Sequence, residues 1–330
     1  MKSDLLPPGS LAAVDLLGSG VELRATHHRP TASWARPVRL IGMKEFSDRF
    51  RSGWVIACVL VWLGAIGLVS FLGLLQIGQI GLQGYERTVI SLLNLVQYLV
   101  PLLGLLLGHD LMVGENEERT LRPILAAGVS RAQLLLGKFL GGCLSLGFPL
   151  GLGFALAGGF IGLATRDRAI SPFLTLAVSG LALGIVFLAI GLAISTFSRS
   201  RVQALVFALL AWCLAVFVFD LVALGWLVSS RASVAAHEIE LVCDATHVNP
   251  AADIHSEADT VIERSAQASS SHNSSPMVWL ELNPVDLFRA ANLAAQLEVP
   301  VSPLILVLAL ALWLGSALGA SLWKLRGADL

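Results

Sequence analysis

His237, Cys243, His247 and His255 lie in one polar stretch, with Glu238, Asp244 and Asp253 among them. Neutral imidazole and thiolate are good ligands for copper or zinc, so the stretch is a candidate metal site. Its intervals of six, four and eight residues match no established ligand spacing, and a solvated polar loop accounts for the same histidines. The four methionines of the whole chain are too few for a methionine-lined copper path. A second chemistry would be ion or proton handling by an ionisable group in apolar surroundings. Asp220, within VFVFDLVALGW, has no adjacent base and reads either as a buried hydrogen-bonded group or as a gating or substrate residue. His109 and Asp110 close a long apolar run, where a water-facing position is cheap and a structural role suffices.

The densest charge pattern is GENEERTLRPILAAGVSRAQLLLGK, ending at Lys138. Glu115, Glu117 and Glu118 form a carboxylate cluster, and Arg131 and Lys138 stand where the next apolar run begins. Between them Leu121, Ile124, Leu125 and Val129 suit a short helix pressed into a partner's groove. Pro123 limits that helix or occupies its first turn. Glu117 and Glu118 favour the helix N-terminus and could pair with a partner's basic groups. Composition leaves an ordinary solvated loop equally open. No G-x-x-x-x-G-K-[ST] loop is present, so any ATP is hydrolysed by another subunit. There is also no Ser/His/Asp nucleophile arrangement, no H-E-x-x-H pair and no basic patch for nucleic acid.

These groups must be positioned by apolar elements. Of the 330 residues 55% are hydrophobic and 14% charged, against roughly 25% charged in a soluble domain. Uncharged runs at about 54–75, 89–108, 139–164, 172–196, 204–228 and 303–323 are long enough to cross a core of roughly 30 Å. Bare backbone finds no hydrogen bonds in lipid, and the runs lack two-residue alternation, so they read as helices. The fold class is an all-α membrane protein of six transmembrane helices. With the N-terminus inside, about 16 of the Lys and Arg fall in inner segments and about 6 in outer ones, which places both termini in the cytoplasm of a bacterial inner membrane.

Residues 35–53 are too polar to cross, but Met43, Phe46, Phe50 and Trp54 follow helical spacing, as in an amphipathic helix lying along the inner leaflet. The first 34 residues are Gly/Pro-punctuated and read as a disordered extension, with Met43 an alternative start. Asn94, Gln97 and Pro101 in the second span must face other helices or a cavity. The third span, with Gly141, Gly142, Gly147, Gly151, Gly153, Gly158 and Gly159, is built for close helix approach. Residues 229–276 read as a polar loop and 277–302 as amphipathic segments at the outer boundary, with a turn at Asn283-Pro284 and Asp286 at a helix N-terminus. Cys58, Cys143 and Cys213 fall in spans, so no disulfide is suggested.

The run VGENEERTLRPILAAGVSRAQLLLGKFLG resembles the cytoplasmic loop of type-2 ABC transporter permeases. That pattern is roughly E-x-G-T-L, a few apolar residues, a small-residue turn, S/R-R, then L-x-G-K. Glu118, Thr120, Leu121, Ser130, Arg131, Leu136, Gly137 and Lys138 occupy its places, and Arg119 stands where glycine is usual. The resemblance implies a type-2 exporter fold whose inner loop, 113–138, carries a coupling helix seated in an ABC ATPase subunit. Glu117, Glu118, Arg119, Thr120, Leu121, Ile124, Val129 and Arg131 would be its contacts. It further implies a homodimer with two ATPase subunits that use ATP and Mg, and no cofactor held by this chain. A narrower likeness rests on LNPVDLFRAANL (282–293), on FDL at Asp220 and on GHD-x-x-x-GE from Gly108 to Glu115. It resembles the branch of these permeases used in maturing the copper sites of nitrous oxide reductase, and implies a periplasmic partner met by Asn283, Pro284, Asp286 and Arg289.

The expectation is therefore a permease that transmits ATP-driven motion, for copper or sulfur handling or, alternatively, for generic export of a drug, lipid or ion. A rival from another class is an ATPase-independent carrier or intramembrane enzyme using Asp220, His109 and Asp110; a third is an anchor without turnover.

Overall fold

The computed structural model describes residues 34–77, 83–118, 120–165, 170–218, 283–297 and 303–327, with Leu221 and Gly225. All regular structure among them is helical. In chain order the helices are α1 (Ala35–Arg51), α2 (Trp54–Ile77), α3 (Gln83–Gly108), α4 (Val113–Glu117), α5 (Leu121–Ala126), α6 (Arg131–Thr165), α7 (Ile170–Phe197), α8 (Arg201–Cys213), α9 (Pro284–Leu297) and α10 (Pro303–Gly327). α8 continues as a π-helical turn over Leu214–Val218.

The six expected spans correspond to α2, α3, α6, α7, α8 and α10. Five helical stretches are by themselves long and apolar enough to cross a membrane, and α1 with α2 forms a sixth unit bent by 67°. The bend has a local cause. Gly53 has φ +82°, a left-handed conformation that closes α1 and costs glycine little. α1 is thereby turned off the axis of α2. Its apolar stripe of Leu40, Met43 and Phe50 stays exposed, while Val38, Gly42 and Arg49 are buried. Of the residues expected on that stripe, Met43, Phe50 and Trp54 are exposed and Phe46 is half-buried; the opposite face, with its charges, is a contact with α6.

α6 starts at Arg131, ahead of the expected start near 139. Ser130 and Gln133 set that start by reciprocal capping: Gln133 N–H donates to Ser130 Oγ (3.2 Å) and Ser130 N–H donates to Gln133 Oε1 (2.9 Å). This is the S-x-x-Q arrangement that satisfies free N–H groups at a helix start. At 35 residues α6 is about 50 Å long, well beyond a bilayer core of roughly 30 Å. Its first turns, with Arg131 and Lys138, therefore form part of the charged end of the bundle.

Helices in lipid gain nothing by hiding apolar surface from one another, so close backbone approach and polar contacts must hold them. The tightest seam joins α3 to α7. A Cβ on Gly104 would lie 2.7 Å from Gly184 O, and one on Gly108 2.6 Å from Leu188 O and 2.8 Å from Gly191 Cα. The α6 glycines divide. Gly141 meets Glu45 and Gly42 of α1, Gly153 meets Trp62 and Gly158 meets Phe173, but Gly147, Gly151 and Gly159 face open space. The expectation of close approach through the third span thus holds for part of its glycines, and the sharpest crossing is between the second and fourth spans.

Candidate functional site

At the charged end the chain leaves α3, makes the short helices α4 and α5, and re-enters through α6. Two ion networks brace this linker. In the first, Lys138 Nζ lies 2.8 Å from Glu45 Oε2 and 2.9 Å from Glu115 Oε1, and Arg49 Nε lies 2.8 Å from Glu45 Oε1. Lys138 is 3% exposed and Arg49 8%. Two cations and two carboxylates thus join α1, α4 and α6 in a neutral cluster, which is how buried charge is tolerated. Burial alone would raise the Glu45 carboxyl, but the charges and hydrogen bonds of Lys138 and Arg49 outweigh it and hold the group below its ordinary value. The helices approach closely here because Gly42, Gly137 and Gly141 leave room: a Cβ on Gly137 would lie 2.7 Å from Ile41 Cβ.

The second network is half-exposed. Arg201, at the start of α8, reaches Asp110 at 3.1 Å, Glu117 at 3.3 Å and Glu118. Its backbone N–H also donates to Glu117 Oε1 at 2.8 Å. The segment Ser200–Gln203 repeats the Ser-Arg-x-Gln pattern of 130–133, with Ser200 Oγ accepting from Gln203 N–H. Arg131, in the matching place on α6, donates from Nη1 to the carbonyls of Leu325 and Arg326, closing the C-terminal end of α10. One more clamp is buried. Ser195 Oγ of α7 accepts the N–H groups of Met112 and Val113, each at 2.9 Å.

Sequence reasoning offered Glu117 and Glu118 to a partner's bases; both are paired to Arg201 of the same chain. Ile124, Leu125 and Val129 are half-buried and pack against the bundle's own core. The outward face of α5 and the turn after it is Pro123, Ala126 and Ala127, closed by Gly128 at φ +87°. Thr120 is exposed and its hydroxyl donates to Glu115 O. His109 is 8% exposed, with Nδ1 2.7 Å from Leu106 O. Glu45, Arg49, Ser195 and Arg201 were missed. The signal for Glu45 and Arg49 was present in their i, i+4 spacing on α1, but nothing local pairs them with Lys138.

At the opposite end α9 is sunk into the bundle by polar anchors on three helices. Arg289 Nε donates to Gln97 Oε1 of α3 at 2.6 Å, and Asn292 Nδ2 donates to Ser179 Oγ of α7 at 3.0 Å. Asn283 Nδ2 donates at 2.9 Å to Ala215 O, within the π-helical turn of α8. Asp286 pairs with Arg289 at 3.1 Å and accepts from Asn283. Pro284 opens the helix, where its missing N–H costs nothing. Val285, Phe288 and Asn292 are buried, while Leu293 is 56% exposed. Gln97 lies about 16 Å along α3 from Gly108, and Ala215 about 21 Å along α8 from Arg201, so α9 occupies the far half of the bundle. Asn94, on another face of α3, lines an open apolar groove of about 360 Å3 with Val69, Tyr98 and Trp212.

Arg119, Asp220 and the four candidate metal ligands His237, Cys243, His247 and His255 lie outside the described residues, as do 1–33 and the 229–276 loop. The side chain of Leu121 is likewise not described. Among the described residues no group of three or more His, Cys, Asp or Glu could hold a metal ion.

Comparison with known proteins gives a consistent family. Residues 40–323 match the family model described as ABC-2 family transporter protein. The chain is 33% identical over 296 residues to a protein of Pseudomonas aeruginosa named "Probable ABC transporter permease protein NosY", an alignment covering 84% of this chain and 94% of that one. It is 36% identical over 195 residues to the protein of the same name from Stutzerimonas stutzeri, covering 58% of this chain and 71% of that one.

Proposed function

We propose, from the premise that this chain belongs to the ABC-2 transporter family and is an ABC transporter permease subunit, that it carries ATP-driven motion across the inner membrane. The motion originates in a separate ATPase that binds ATP and Mg at the cytoplasmic face. The braced linker end is that face, and both termini lie there. The observation that supports this reading is the pairing of an exposed small-residue tip (Pro123, Ala126, Ala127) with a base tied by ion networks to α1, α6 and α8. A push on such a tip moves several helices together, whereas a solvated loop would absorb it.

Two copies work as a homodimer, each engaging one ATPase subunit. Glu117, Glu118, Arg119, Thr120, Leu121, Ile124, Val129 and Arg131 form or support the coupling segment; in our reading the paired residues stiffen it and the α5 tip makes contact. At the far end α9, held by Asn283, Asp286 and Arg289, receives the movement and presents it to a periplasmic partner. The likeness to NosY proteins supports an output in maturing the copper sites of nitrous oxide reductase, by reshaping a partner that handles copper or sulfur. A second reading, export of an apolar solute, is favoured by the groove lined by Asn94, Tyr98 and Trp212.

The test is purification of the tagged chain from its own host in mild detergent. A stoichiometric ATPase is expected, and Ala126→Asp, on the exposed tip, should release it while the bundle stays monodisperse. A periplasmic copper- or sulfur-handling companion supports the narrower output. Absence of any ATPase under several gentle conditions would sink the proposal.

A further inference from the structure

At the linker end a recess opens between α4, the end of α7 and the end of α10, apart from the α5 tip. Its volume is about 260 Å3, against roughly 30 Å3 for one water. Asn116, Ser195, Arg199 and Lys324 line it, and no carboxylate does. Among the described residues Arg199 and Lys324 form no ion pair, unlike Lys138 and Arg201 nearby. Ser195 is 1% exposed, and its oxygen accepts two backbone N–H groups. Its own hydroxyl proton has no acceptor among the described residues, so it is available to a ligand in the recess. Two unpaired cations, an amide and a hydroxyl donor converge without a balancing negative charge.

We propose that this recess binds the phosphate of an anionic membrane lipid. Lipid is favoured over free phosphate by what adjoins the recess. Phe197, which lines the recess, is 46% exposed, and the Lys324 ammonium stands 5.9 Å from its ring centroid. That exposed apolar ring at the edge of the recess offers an acyl chain a surface to lie on. Basic residues at helix ends are what headgroup-level sites use. A phosphate here would tie α4 to α7 and α10 beside the Arg131 cap, and so stiffen the same end that the ion networks brace. The site does not depend on the coupling reading.

Apparent melting of the purified full chain, with any ATPase that accompanies it, tests this in detergent with added phosphatidylglycerol, phosphatidylcholine or inorganic phosphate. Phosphatidylglycerol should stabilise saturably, and the other two should not. Arg199→Gln with Lys324→Gln should weaken the phosphatidylglycerol effect roughly twenty-five-fold, about five-fold for each basic group. An unchanged response in that double variant overturns the site, and an equal response to inorganic phosphate overturns the lipid assignment. Should the double variant not fold, native mass spectrometry of Lys324→Gln decides. Fewer retained phosphatidylglycerol molecules than in the parent support the site, and an equal number refutes it.

Discussion

Lys138 is the residue on which most of the linker geometry turns. It neutralises Glu45 and Glu115 from two other elements while itself 3% exposed. Removing one partner of a buried pair typically costs about 3–5 kcal/mol, because the remaining charge is left unmatched. Lys138→Met should therefore lower the apparent melting temperature sharply in detergent, and adding Glu45→Gln should restore part of the loss; no recovery would mean that the pair is not coupled. Protonation gives a second handle on the same cluster. The Glu45 carboxyl is held below its ordinary 4.5 in the folded protein. Its stabilising contribution is thus complete above that value and disappears as the pH falls through the lower, folded one. Acid unfolding followed by tryptophan fluorescence should show this loss in the parent and not in Glu45→Gln. Arg201 is a weaker case, since half-exposed pairs contribute on the order of 1 kcal/mol or less. The residue types of both networks were legible in the sequence, but their partners were not. Lys138 and Glu45 are joined only because α6 begins eight residues ahead of its apolar run and passes α1.

Among the elements, α3 and α7 approach each other most closely, backbone against backbone. At Gly104 and Gly108 any side chain would enter the backbone of α7. Gly108→Val should accordingly abolish a monodisperse peak on size-exclusion chromatography, whereas Gly147→Val, facing open space, should leave it intact. Equal behaviour of the two variants would remove the distinction. That the apolar runs form five to six membrane-crossing helices could be read from hydropathy, since lipid imposes helices on such runs. Their neighbours could not. Glycine occurs both on faces that touch and on faces that do not, as Gly141 and Gly147 of the same helix show. α9 was legible as an amphipathic segment resting on or dipping into the outer boundary, but its anchors inside the bundle were not, because its buried face is polar as well as apolar. Gln97, Ser179 and Ala215 satisfy that polarity from three separate helices.

The molecule as a whole has two braced ends: a linker tied by ion pairs at one face and a helix anchored in the far half of the bundle. The candidate metal-ligand stretch and Asp220 lie outside the described residues. Hydrogen–deuterium exchange of the complex with its ATPase, apo and trapped with ATP and vanadate, tests the connection most directly. Trapping should alter amide protection at α4–α5 and also in α9, and Lys138→Met should leave ATP binding in place but silence the α9 response. A change confined to the linker in the parent protein, with α9 unaffected by nucleotide, would contradict that connection.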